Sequence, residues 1–236
     1  MKKFLALVTS LVMLLGTTAA LAEDAATETP EETPAVSYHR DYKYDFVWST
    51  KGISKLKSKA AQTHGTVETL TYQTPAYAVN AVMGTDYVLE KKVNVYLPAG
   101  YDPEKSYNIL YLMHGGGDDE NYWLMELSDR THGKTTMRVL DHMIEDGLCE
   151  PLILVTPTFY ADVEGVEPTQ EQIDAVCAQI GESHYNSMSD LYTWYFGDEF
   201  RNNIIPAVES KYLTYANKDV SEENLIATRD HRAYCG

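Results

Sequence analysis

From Gly65 onward the hydrophobic rhythm of the chain changes several times, and each change predicts an element. Thr66–Tyr72 (TVETLTY) alternates apolar and polar positions and is rich in β-branched residues, the pattern of a half-buried strand. Lys91–Leu97 (KKVNVYL) alternates again, and Pro98–Pro103 (PAGYDP) closes it with turn residues. Tyr107–Met113 (YNILYLM) and Leu152–Thr156 (LILVT) are nearly continuous apolar runs, which marks strands covered on both faces. Between those runs the period lengthens. Lys134–Asp146 places Met137, Leu140, Met143 and Ile144 on one helical face, with Gly147 as its stop. Thr169–Ile180 predicts a second helix, with a capping box from Thr169 and Gln172, an apolar face of Ile173, Val176, Cys177 and Ile180, and Gly181 at its end. A third runs over about Asp190–Tyr212 with Phe196, Phe200, Ile204 and Val208 four apart, and Pro206 bends or divides it. The last strand is either Leu225–Ala227 or Ala233–Cys235. Strands alternating with helices predict an α/β domain built on a mostly parallel, doubly covered sheet, with the two alternating strands as an antiparallel leading edge. No internal repeat is visible.

The residues before this region have a different character. Lys2 and Lys3, the apolar run Phe4–Leu15 and the motif Ala20-Leu21-Ala22 read as a secretory signal peptide cleaved after Ala22, its apolar part short for a membrane span. No cysteine follows the run, so a lipid anchor has no support. The mature chain is therefore expected to be secreted or periplasmic. Glu23–Pro34 (EDAATETPEETP) reads as an acidic, Thr/Pro-rich spacer. Tyr38–Trp48 reads as an aromatic arm that packs on the domain, with sugar stacking as the alternative, and Lys51–His64 as an exposed connection. Residues 1–22, 23–64 and 65–236 thus divide into signal, spacer with arm, and α/β domain.

Charge narrows the partners. The 236 residues carry a formal charge of −16, and removal of residues 1–22 takes away two lysines and no acid, giving −18. Such a surface repels nucleic acid and anionic membranes. The three cysteines, Cys149, Cys177 and Cys235, are too few for a disulfide framework. A Cys149–Cys177 bridge and free thiols both remain open, and no C-x-x-C spacing suggests a metal site.

The chemistry centres on His114-Gly115-Gly116-Gly117, directly after a buried strand. Ester hydrolysis passes through a tetrahedral oxyanion that needs fixed N–H donors, and a glycine turn lets the backbone approach closely enough to supply one. A phosphate loop would need a Lys and a Ser or Thr at a helix start, which are absent here. His114 reads as fixing its loop. His231 reads as structural, because Asp230 and His231 are adjacent on an extended segment and point to opposite faces. His132 and His142 lack metal-ligand spacing, and neither metal nor organic cofactor is implied. Ser128 or Ser183 with His132 or His184 would be another hydrolase pairing, without an elbow or a buried acid behind it.

The segments TVETLTY, KKVNVYLPAGYDPEKSYNILYLMHGGGDDENYW, GLCEPLILVTPTFY, FRNNIIPAVESKY and RDHRAYCG together resemble the esterase D-like α/β-hydrolases. The resemblance is greatest to feruloyl and acetyl-xylan esterases of carbohydrate esterase family one, and covers about Gly65–Gly236. It implies a serine esterase that removes acyl groups from plant-wall polysaccharide or oligosaccharide. Gly116 is then the first candidate for the oxyanion N–H, with Gly115 and Gly117 next. Tyr122 and Trp123 match an aromatic position near the pocket as candidate substrate contacts, and Thr156–Tyr160 matches a loop facing the same cleft. In that family the segment matching Arg229–Gly236 runs on into Gly-x-Ser-x-Gly, with the acid and histidine further on. None of the three has a counterpart among these residues. The chain as given is therefore expected to be inactive, poorly stable and prone to aggregate. The alternative is a non-catalytic, exported carbohydrate-binding or degenerate esterase-like protein. Enterochelin- or mycolyl-type esterases would change the substrate and keep the mechanism.

Overall fold

Five strands pair into one sheet in the order β1-β2-β4-β3-β5. They are β1 (Thr66–Pro75), β2 (Val88–Leu97), β3 (Asn108–Leu112), β4 (Leu152–Thr156) and β5 (Arg232–Cys235). This is a computed structural model, and it describes Leu56, residues 60–127 and residues 131–236. The signal segment, the spacer, the aromatic arm, most of the 51–64 connection and Ser128 lie outside the described residues. β1 and β2 are antiparallel, as are β2 and β4, whereas β3 runs parallel to both β4 and β5. This mixed sheet is the α/β arrangement expected from the patterning.

The two faces are covered unequally. One carries the larger core, where Val93, Val95, Ile109, Tyr111, Ile153 and Val155 meet the helices α1 (Tyr77–Met83), α3 (Gln170–Ile180), α4 (Met188–Glu199) and α5 (Ile205–Lys211). The other carries a smaller layer, in which Tyr96, Leu124 and Leu154 pack with Met137, Leu140 and Ile144 of α2 (Gly133–Glu145). Asp141 ties α2 down. It is buried and accepts the Tyr96 hydroxyl at 2.7 Å and the Gly65 N–H at 2.9 Å.

Local signals explain most element ends. Thr169 caps α3 through the expected capping box with Gln172, and Gly181 closes it at φ +81°. Gly147, at φ +67°, follows the end of α2 as expected. The third predicted helix starts slightly earlier, at Met188, under a second capping box from Ser187 and Asp190. It also continues through a π turn, Phe200–Ile204, where the Ile205 N–H reaches back to the Phe200 carbonyl. Pro206 has no N–H to give, and its ring would clash with the carbonyl four residues back in a regular helix. The widened turn accommodates it without a break.

Two open alternatives are decided and one expectation is corrected. Leu225–Ala227 is not a strand but lies in a short helix, α6 (Glu222–Ala227), which leaves the final strand to Arg232–Cys235. β2 is not half-buried, since Val93 to Leu97 are all buried between two layers. Cys149 and Cys177 form no bridge; all three cysteines are free thiols. Burial pushes each thiol upward from its ordinary pKa.

Candidate active site

β3 ends at Leu112, and the chain leaves the sheet through Met113, His114 and the three glycines. His114 is buried. Its Nδ1 lies 2.7 Å from the Gly115 carbonyl, an acceptor only, so Nδ1 carries the proton. Nε2 is then the acceptor, 2.8 Å from the Thr158 hydroxyl. The ring lies against Phe159 and stacks with Tyr160 at 5.8 Å. The Gly115 carbonyl also accepts the Asp118 N–H at 3.3 Å, closing a turn whose third residue, Gly117, sits at φ +84°. That conformation favours glycine.

The three glycine N–H groups differ. Gly117 donates to the Tyr160 hydroxyl at 2.9 Å. Those of Gly115 and Gly116 have no protein acceptor among the described residues, and both glycines are exposed. The loop therefore offers unengaged donors at Gly115 and Gly116, while Gly117 is already held.

β5 brings the end of its strand to the same place. The Met113 N–H donates to the Cys235 carbonyl at 2.7 Å. A Cβ at Gly236 would fall 2.6 Å from the Met113 Cβ, so the backbone approaches closer than a side chain permits. An ion pair sets the entry to β5. Arg232 forms a two-pronged pair with buried Glu209, whose carboxylate also accepts the Thr214 hydroxyl at 2.7 Å and the Tyr111 hydroxyl at 3.3 Å.

Below the loop lies a second buried pair that the patterning did not reveal. Lys91 Nζ donates to the Thr158 carbonyl at 2.9 Å and pairs with Glu199 at 2.8 Å, and the Tyr72 hydroxyl donates to Glu199 at 2.6 Å. Burial lowers the Lys91 pKa, opposed by the Glu199 charge, and burial beside Glu199 raises that of Tyr72. Lys91 shares the strand face of Val93 and Val95, which takes it into the core. Asn94 was also missed: it is buried, and its amide holds the Glu120 carbonyl at 3.0 Å and the Asn121 side chain at 3.1 Å. Neither position carries a sequence signal beyond a polar residue in a strand.

Asn94 and Thr156, whose hydroxyl reaches the Glu120 carbonyl at 2.7 Å, seat the 118–124 segment over the sheet. Trp123 completes the anchoring, its indole N–H donating to the Met113 carbonyl at 2.9 Å. Tyr122 meets Trp123 edge-on at 4.7 Å and His132 at 4.9 Å. Both aromatics border a cavity of about 430 Å³ that also involves Leu110, Leu112, Leu154 and Leu140. It runs along α2 from His132 to Met143, down the flank of the sheet rather than across the glycine loop. In this structure Tyr122 and Trp123 thus contribute first to packing and to anchoring Met113.

The remaining histidines are engaged elsewhere. His231 stacks on Tyr215 at 3.6 Å and its Nδ1 lies 2.9 Å from the Asn108 side-chain oxygen. His184 packs edge-on against Tyr185, and His132 lies among the aromatics. Among the described residues no group of three His, Cys, Asp or Glu side chains converges as a metal site would require.

Comparison with known proteins agrees with this layout. The family model Esterase matches residues 88–224, more than half of the chain. Endo-1,4-beta-xylanase Y of Acetivibrio thermocellus is 40% identical over 146 residues, which are 62% of this chain and 10% of that protein. An endo-1,4-beta-xylanase/feruloyl esterase of Xylanibacter ruminicola is 37% identical over 67 residues, 26% of this chain and 8% of that one. Among solved structures, a mutant feruloyl esterase module from Clostridium thermocellum, in complex with sinapinate, is 35% identical with a TM-score of 0.50. That match covers 75% of this chain and 46% of the module, so the chain spans a little under half of its length. The chain belongs to the esterase family that the matching family model describes and has the α/β-hydrolase fold.

Proposed function

We propose that these residues form the oxyanion-donor part of an exported serine carboxyl-esterase that removes feruloyl or acetyl groups from plant-wall polysaccharide. The observation that carries the reading is the free Gly116 N–H on a loop at the C-terminal end of β3, with the end of β5 alongside. Ligands in α/β sheets bind at the carboxyl ends of the strands. In an acyl-transfer site a donor there stabilises the charge that develops on the carbonyl oxygen. An activated serine would attack the ester carbon, a histidine would carry its proton to the leaving sugar hydroxyl, and water would release the acid.

The 236 residues contain no Gly-x-Ser-x-Gly. On this reading they supply the donor and the sheet without the nucleophile, acid or base, and hydrolyse no ester by themselves. Relatives carrying xylanase and feruloyl esterase names support the substrate class, and the Phe4–Leu15 run before Ala22 supports export. The test compares two products of the gene: the 236-residue chain, and whatever the open reading frame encodes in full. The full product is expected to release ferulate or acetate from arabinoxylan and to be inactivated by phenylmethylsulfonyl fluoride, while the 236-residue chain leaves p-nitrophenyl acetate at the buffer rate. Turnover by the 236-residue chain, or an inert full product, would overturn the reading.

A further inference from the structure

We infer that His114 is a positioning residue: its Nδ1–H holds the Gly115 carbonyl turned into the loop and thereby aims the Gly116 N–H outward as a donor. The identity of the charge it meets rests on the esterase reading above; the geometry does not. The Gly115 carbonyl and the Gly116 N–H belong to one peptide unit, and in a trans peptide they point in opposite directions. Fixing one end fixes the other.

The peptide needs such a device. Lying between two glycines, it has no Cβ on either side to select its orientation. Turned over, it would present a carbonyl oxygen where a negative charge develops, repelling that charge instead of binding it. Two donors oppose this at the Gly115 oxygen, His114 Nδ1 at 2.7 Å and the Asp118 N–H at 3.3 Å, and the imidazole bond is the shorter. The tautomer is set from behind. The Thr158 hydroxyl gives its proton to Nε2, the Thr158 carbonyl is held by Lys91, and Lys91 is held by Glu199. A buried pair at the junction of β2 and α4 thus supports, through Thr158 and His114, the direction of one N–H.

Asparagine and glutamine separate the two ring nitrogens. His114→Asn places an amide donor near Nδ1 and gives up the contact with Thr158, whereas His114→Gln keeps a partner for Thr158 and gives up the donor to Gly115. In the full 236-residue chain with ¹⁵N-labelled histidine, the wild-type His114 ring is expected to show the Nδ1–H tautomer. The Gly116 ¹⁵N and Gly115 carbonyl ¹³C shifts are expected to stay near wild type in His114→Asn and to move in His114→Gln. An Nε2–H tautomer, or equal shifts in the two variants, would overturn the inference, and the wild-type tautomer needs no variant to fold. In the full gene product, His114→Gln is expected to lower kcat about 10²-fold, the loss of one oxyanion donor, with KM little changed and His114→Asn restoring most of it. A wild-type product without esterase activity would sink the functional reading alone, and the tautomer would still decide the positioning.

Discussion

Lys91 shows what a single buried charge does to this fold. Its ammonium is covered by the sheet and by α4, and among the described residues Glu199 and the Thr158 carbonyl compensate its lost hydration. Lys91→Met leaves Glu199 buried without its cation and is expected to cost about 3–5 kcal/mol in urea unfolding. Adding Glu199→Gln removes the stranded charge and is expected to recover most of that loss. A single variant as stable as wild type would show that the pair contributes little. Tyr160→Phe removes the acceptor of the Gly117 N–H, at a cost of about 1 kcal/mol, and hydrogen exchange at that amide is expected to accelerate. At this scale the glycine loop was legible as a turn, because three glycines after an apolar run end a strand and admit the positive φ of Gly117. Lys91, Asn94 and Glu199 were not, because their burial is produced by layers that pack from distant parts of the chain.

Elements with strong local signals were legible almost to the residue. β4 needs only an apolar run, and α3 announces both ends through Thr169 and Gly181. The failures lie where local patterns are too short to choose: six residues around Leu225 serve as helix or strand equally well, and tertiary contacts decide. α1 follows β1 so closely that no turn signal separates them. The start of α4 gives a pH test. The Asp190 carboxyl lies below the usual carboxylate range, chiefly because the Asn186 N–H, then the Ser187 hydroxyl, donates to its charged form. A carboxyl lowered in the folded state stabilises above its unfolded value near pH 4 and loses this as pH falls through the lower folded value. Asp190→Asn is therefore expected to lower Tm slightly at neutral pH and to match wild type near pH 2. A constant difference across that range would assign the effect to packing instead.

The described residues form a sheet with a deep core on one face and a shallow one on the other. The class was legible because parallel strands, buried on both sides, need apolar sequence throughout, whereas no local pattern sets the order β1-β2-β4-β3-β5. The cavity beside α2 was not, since amphipathic spacing describes the face that α2 presents and not how fully the sheet fills against it. β5 depends on the Arg232–Glu209 pair, and Tyr234 rests on Phe200 at 5.3 Å. Arg232→Met strands the Glu209 carboxylate and is expected to cost about 3–5 kcal/mol, with protection lost first at the β5 amides.

The parallel register that seats Arg232 beside Ile109 also has a kinetic consequence. β1 and β2 close on each other across a short stretch of chain, whereas more than half of the described residues lie between β3 and β5. Loop closure makes such a contact late in time, however firm it is once made. The β3–β5 pairing, and with it the burial of the Arg232–Glu209 pair against Tyr111, is then expected to form after the rate-limiting barrier. In stopped-flow measurements Arg232→Met is expected to leave the refolding rate nearly unchanged and to speed unfolding by close to the full loss in stability. The strand that brings its end beside the glycine loop would be the last to arrive and the first to leave.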